Sequence, residues 1–155
     1  MTSIINYGMV GGGEDSFIGN IHRIAASLDN HFHLVAGVFS SDPERSVHFG
    51  NRLNLSNNRC YPDFKEMAVN ESVREDGIEA VVIATPNNLH IPIAKEFLKR
   101  RIHVICDKPL AANNNEIRSF SSLVKKSDII FAITYNYSGY PMIRLAREMV
   151  INGEI

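Results

Sequence analysis

"MVGGGEDSFIGNIHR", Met9 to Arg23, sets three glycines at the end of an apolar run and a further one, Gly19, six residues after the third. A G-x-G-x-x-G count from Gly11 passes through Gly13 and arrives at Ser16, where a glycine is wanted. The stretch fits a longer turn if Gly11, Gly13 and Gly19 are the working glycines and Glu14, Asp15 and Ser16 an insertion before the last of them. Gly11 then permits a tight turn, Gly13 lets backbone amides approach a phosphate, and Gly19 lets a helix start close against the strand. Phe17 and Ile18 open that helix and belong to the same candidate site. The alternative is a glycine-rich turn serving backbone geometry alone. Against the first reading stand Glu14 and Asp15, carboxylates beside a phosphate site, which must turn to solvent or meet hydroxyls.

The surroundings of the turn decide between these readings. Apolar runs rich in Val and Ile lie at Ile4–Val10, His33–Phe39, Glu79–Thr85, His103–Cys106 and Ile129–Thr134. They show almost no polar alternation, the mark of parallel strands buried on both faces. "RCY", Arg59–Tyr61, is too short to assign alone. Helical periods fall between the runs, near Phe17–Leu28, Pro43–Leu53, Phe64–Glu75, Leu89–Lys99, Asn114–Lys126 and Pro141–Ile151. Asp42 before Pro43, and Asn113 with Glu116, are helix-start signals. Strand and helix alternate about six times, which predicts an α/β fold: a doubly wound parallel sheet of strand order 3-2-1-4-5-6. The glycine stretch follows the first strand and opens the first helix, at the carboxyl edge where such sheets bind ligands. "NLSNNRC", Asn54–Cys60, reads as a polar surface connection.

Composition removes other classes. At 155 residues, 45% hydrophobic and 21% charged, the chain matches a single soluble domain,. A net charge of -1 carries no basic stripe of the kind nucleic acid requires,. Lys99, Arg100 and Arg101 read as a solvated helix end set favourably against the helix dipole. Cys60 and Cys106 lack metal-ligand spacing, so reduced thiols, no metal and a cytoplasmic setting are expected,. No run approaches the ~20 apolar residues that span a bilayer, and "MTSIINYG" lacks the charged flank of a signal peptide. The five methionines are scattered and read as core filler,.

An acidic residue after the second strand usually accepts the ribose hydroxyls of NAD. Here the strand ends "VFSSDPERS", and Ser40 and Ser41 occupy that place. With Arg45 nearby they suit a 2′-phosphate that a carboxylate would repel, which favours NADP over NAD. Asp42 reaching the ribose is the alternative, as is a plain turn decorated by an arginine.

The last landmark is "ATPNNLHIPIAKEFLKRRIHVICDKPLA", Ala84–Ala111. The glycine turn with His22, "TPN" with His90, "CDKPL" at Cys106–Leu110 and the closing "YNYSGYPMIRLAREMVINGEI" together resemble the Gfo/Idh/MocA oxidoreductases over essentially the whole chain. The resemblance implies a Rossmann fold that binds NAD or NADP and passes hydride to or from a sugar, polyol or related carbohydrate. It implies that Lys108 is the catalytic group, contacting cofactor and substrate. Asp107 stands where the family usually has Glu, and Pro109 fixes the backbone behind Lys108. Thr85, Pro86 and Asn87 would contact the cofactor ribose and phosphates, and Asn136 with Tyr137 would face the nicotinamide, though aromatic packing explains Tyr137 equally well. His90 either contacts the cofactor or caps and packs its helix. His22 reads as a packing residue.

The family continues into a second α/β domain that holds the substrate and makes oligomer contacts. Residues 1–135 therefore read as the NAD(P)-binding Rossmann domain, and residues 136–155 as a connecting helix towards that absent domain. The fragment alone is expected to be inactive, and a full-length form to be a homo-oligomer. Two other readings stay open: a non-catalytic NAD(P)-binding sensor or scaffold, and a Rossmann domain for S-adenosylmethionine, to which a Lys-Pro strand end offers nothing.

Overall fold

The computed structural model describes residues 4–155. The first residues of "MTSIINYG", read above for a signal peptide, lie outside the described residues. Five strands form one parallel sheet: β1 Ile5–Gly11, β2 Phe32–Val38, β3 Ala80–Ala84, β4 His103–Cys106 and β5 Phe131–Ile133, in the order β2-β1-β3-β4-β5. Helices α1 Phe17–Ser27, α2 Pro43–Arg52, α3 Phe64–Ser72, α4 His90–Leu98, α5 Asn114–Lys125 and α6 Pro141–Ile151 follow the expected segments, with ends shortened by up to three residues.

Burial on both faces explains the missing polar alternation. All of β3, "AVVIA", is buried. Successive strand residues point to opposite sides. Val10, Val81, Ile83 and Val104 pack with Met67 of α3, Ile91 and Phe97 of α4 and Phe120 of α5. Tyr7, Met9 and Val82 pack on the other side with Phe49 of α2. The in-register pairs Met9 to Val82, Val82 to Ile105 and Ile105 to Ala132 carry the ladder across the sheet.

The expected order 3-2-1-4-5-6 is met except at one edge. The strand that would flank β2 is reduced to a single parallel bridge between Gly37 and Cys60, with Tyr61 N–H donating to Gly37 O at 2.9 Å. A short turn of 3-10 helix at Asn57–Arg59 ends immediately before it, and Asp63 caps α3 immediately after, so no length is left for pairing. "NLSNNRC" is also less superficial than expected. Arg59 is buried, and its guanidinium meets both carboxylate oxygens of Glu71 while Tyr61 Oη donates to Glu71 Oε1 at 2.7 Å.

Side-chain caps set the helix starts. Asp42 accepts from Glu44 N at 2.9 Å and Arg45 N at 3.2 Å, with Pro43 at the first helical position. Asp42 is thereby committed to the backbone of α2. Asn113 Oδ1 accepts from Glu116 N at 3.1 Å, the expected cap, while Glu116 Oε1 accepts at 2.8 Å from the Asn113 side-chain amide instead of the backbone N–H of a full capping box,. The basic run Lys99, Arg100, Arg101 ends α4, where Glu96 pairs with Lys99 at 2.8 Å and Arg100 at 3.1 Å. Both cysteines are free and buried, and desolvation pushes the Cys106 thiol up to about 12. No helix among the described residues is long and apolar enough to cross a membrane, and none of their His, Cys, Asp and Glu side chains cluster to hold a metal.

Candidate functional site

The carboxyl ends of β1, β2 and β3 open into a cleft of about 960 Å³. That is the upper end of the ~300–1,000 Å³ usual for small-molecule sites. Gly11, Gly12 and Gly13 form one wall, Ser40, Ser41 and Arg45 a second, and Thr85 with Pro86 a third. Apolar side chains including Phe39, Phe64 and Ile93 complete it.

In the glycine turn the close approach of the helix falls at Gly19, as the longer reading expects, while the second left-handed residue is Gly12, which that reading did not name. Gly11 and Gly12 have φ of +82° and +70°, the left-handed region that favours glycine,. A Cβ on Gly19 would stand 2.6 Å from Gly12 O and 2.7 Å from Gly12 C, so α1 can approach the turn this closely only without a side chain there. A Cβ on Gly13 would run into Phe39 O. Gly19 thus lies behind the turn, away from the cleft wall.

Ser16 is more than part of an insertion. It is the N-cap of α1, and its Oγ accepts from Gly19 N at 3.1 Å. The backbone N–H groups of Phe17 and Ile18 make no hydrogen bond among the described residues. Helix-start donors of this kind, with the positive end of the helix dipole, suit an anionic ligand. Their side chains do not line the cleft, and Phe17 is 80% exposed.

Glu14 and Asp15 reach across to α2, where Glu14 pairs with Arg52 and Asp15 Oδ2 lies 3.4 Å from Arg45. Both carboxylates still line the cleft, so the arginines offset their charge without taking it away from the site. The pairing also engages the arginine proposed for a 2′-phosphate, although both partners of the Asp15–Arg45 pair are largely exposed. Ser40 Oγ accepts from Asp42 N at 3.1 Å, and Ser41 is exposed.

Thr85 Oγ1 is buried without a hydrogen-bond partner, and Thr85 lines the cleft. A buried unpaired hydroxyl is rare enough to need an explanation. A polar ligand in the cleft supplies one, and with the glycine turn and free α1 donors the residues present fit a dinucleotide.

The remaining expected residues do not line the cleft but sit at neighbouring strand ends. Asn87 begins a short 3-10 turn before α4, and Asn136 begins another after β5. Asp107 directly follows β4; Thr134 Oγ1 donates to its Oδ1 at 2.9 Å, and His22 Nε2 stands 3.9 Å from the same oxygen. Burial holds His22 below its ordinary range, opposed by the Asp107 carboxylate. Lys108 and Pro109 are exposed. His90 is 1% exposed, with Nδ1 and Nε2 each 2.8 Å from a backbone carbonyl, so the ring takes the packing role and not a cleft-lining one.

Residues 5–143 match the Gfo/Idh/MocA oxidoreductase family, NAD-binding Rossmann fold, and the chain belongs to that family. It is 43% identical over 152 residues to an oxidoreductase of Bacillus subtilis (strain 168), covering 97% of this chain and 39% of that one. Among solved structures it resembles an oxidoreductase from Sinorhizobium meliloti at 53% identity and TM-score 0.91, over 99% of this chain and 43% of the other. An inositol dehydrogenase homolog from Azotobacter vinelandii, solved with NADH and myo-inositol, aligns at 41% identity and TM-score 0.93 over 99% of this chain and 41% of that one. The chain thus spans about 40% of the length of such relatives.

Proposed function

We propose that this chain is the cofactor half of a dehydrogenase acting on a sugar, polyol or related carbohydrate, with NADP favoured over NAD. The observation that carries the reading is the cleft itself, where a glycine turn, two strand-end serines and an unpaired buried threonine hydroxyl meet at one sheet edge. Gly11, Gly13 and the free N–H groups of Phe17 and Ile18 would hold the pyrophosphate. Ser40 and Ser41 would meet the adenosine ribose without a repelling carboxylate, with Arg45 released from Asp15 to a 2′-phosphate. Thr85, Pro86 and Asn87 would line the path towards the reacting end, and Asn136 would flank it.

The nicotinamide, when bound, would supply hydride exchange with the substrate carbon. Lys108 supplies the catalytic charge: its ammonium, beside a hydroxyl under oxidation, stabilises the developing alkoxide and serves in proton transfer. Asp107, held by Thr134, and Pro109 fix the backbone on either side of it. Residues 1–135 form the dinucleotide domain in this reading, and residues 136–155 lead towards a substrate domain. The isolated chain binds cofactor without turning over substrate, because one wall cannot hold a sugar carbon at the ~3–3.5 Å that reaction requires. A full-length form is a homo-oligomer, as the resemblance implies.

The test is Lys108→Ala in a full-length form. We expect kcat/KM for polyol oxidation to fall by roughly 10²–10⁴-fold with cofactor affinity little changed, the scale for loss of one acid/base or electrostatic group. Turnover close to that of the unsubstituted enzyme would remove Lys108 from the chemistry.

A further inference from the structure

His90 opens α4 directly behind the cleft, 1% exposed among side chains that are otherwise apolar. Its Nε2 lies 2.8 Å from Thr85 O, at the end of β3, and its Nδ1 lies 2.8 Å from Pro109 O, just after β4. These two carbonyls belong to the "TPN" and "DKP" turns. The turns have poor means of pairing directly at these points, because carbonyl oxygens only accept and neither Pro86 nor Pro109 has an N–H. A neutral ring has one N–H and donates to only one of these carbonyls; because His90 follows Thr85 in the same segment, donation from Nδ1 to Pro109 O is the bond that joins the two turns.

We infer that His90 is a positioning residue, a clamp that ties the cleft wall at Thr85 to the backbone carrying Lys108. The ladder joins β3 and β4 as far as Asp107 N, which donates to Ile83 O at 2.9 Å; loss of the clamp loosens the turns beyond that bond, so that a ligand touching both is held less well than a ligand touching only the glycine turn. This rests on the dinucleotide reading above, which assigns the two turns to one ligand. Ring contacts to backbone act through the position of Thr85 and Lys108, so His90 itself needs no contact with the cofactor.

The test separates the clamp from the fold and from the ligand. In the unsubstituted chain, 15N-edited NMR of the His90 ring is expected to show a ring N–H protected from solvent exchange; a ring without one overturns the clamp whether or not any dinucleotide binds. His90→Phe keeps an aromatic ring, somewhat larger than imidazole, and removes both nitrogens. Calorimetry with ADP, which spans only the glycine turn and the end of β2, is expected to match the unsubstituted chain within about twofold. With NADP or NAD the variant is expected to bind up to about tenfold more weakly, the scale of one net hydrogen bond. Equal losses for ADP and dinucleotide, or no loss for either, overturn the inference. Should His90→Phe fail to fold, His90→Leu, which also removes both nitrogens with a smaller side chain, is held to the same ratio. If the unsubstituted chain binds no dinucleotide, the functional reading fails while the clamp is still judged by the ring N–H and by faster amide exchange at Asp107, Lys108 and Leu110 in the variants.

Discussion

Ser40 carries the cofactor argument at the scale of single residues. Ser40 lines the cleft and its Oγ accepts from Asp42 N of its own turn; in the proposed reading it stands where a ribose carboxylate would be. Ser40→Asp should restore a diol acceptor and repel a 2′-phosphate, moving the NAD to NADP affinity ratio about tenfold or more towards NAD. Titration of both cofactors measures it, and NADP binding as tightly or more tightly in the variant contradicts the assignment. His22 makes a pH prediction. Burial depresses its folded pKa below the ordinary 6.5, so below that value the unfolded chain binds the proton more readily than the fold does,. Stability should therefore decline as pH falls through this window, and His22→Gln should show a smaller drop in Tm between about pH 7.5 and about pH 5.5. An identical drop in both proteins rules out a contribution from His22. The place of Thr85 on the cleft wall was legible because a strand end and a family motif mark it; Lys108 was marked in the same way, and its role rests on the proposal. The Arg59–Glu71 pair, His22 beside Asp107 and the double contact of His90 were not legible, because each joins residues far apart in the chain across packing that no local pattern encodes.

At the scale of elements, the entry to α1 divides the work of the turn between two residues. Gly19 supplies close approach and Ser16 supplies the cap, two functions that a simple glycine count assigns to one position. Gly19→Val places a branched side chain against Gly12 and should weaken dinucleotide binding at least about tenfold,. Ser16→Ala should cost about 1 kcal/mol of stability through loss of the cap, with a smaller effect on binding. Thermal unfolding and calorimetry separate the two, and a reversed ranking in binding would restore the count that ends at Ser16. The sheet was readable from apolar runs alone, since parallel strands buried on both faces cannot alternate. Its missing edge was not, because "RCY" reads the same whether it makes a ladder or a single bridge; the caps on either side decide that.

For the whole molecule, the glycine turn, "TPN" and "DKP" converge because β1, β3 and β4 are adjacent and parallel, which puts their carboxyl ends on one edge. The helix α6 contributes nothing to that edge's core: Met142, Ile143, Leu145, Val150 and Ile151 are all exposed. The central claim is that the cleft on this edge holds a nicotinamide dinucleotide. Calorimetric titration of the chain with NAD and with NADP tests it most directly. We expect saturable binding of one dinucleotide per chain, tighter for NADP and severely weakened by Gly19→Val; no binding of either cofactor to a folded chain would contradict the claim.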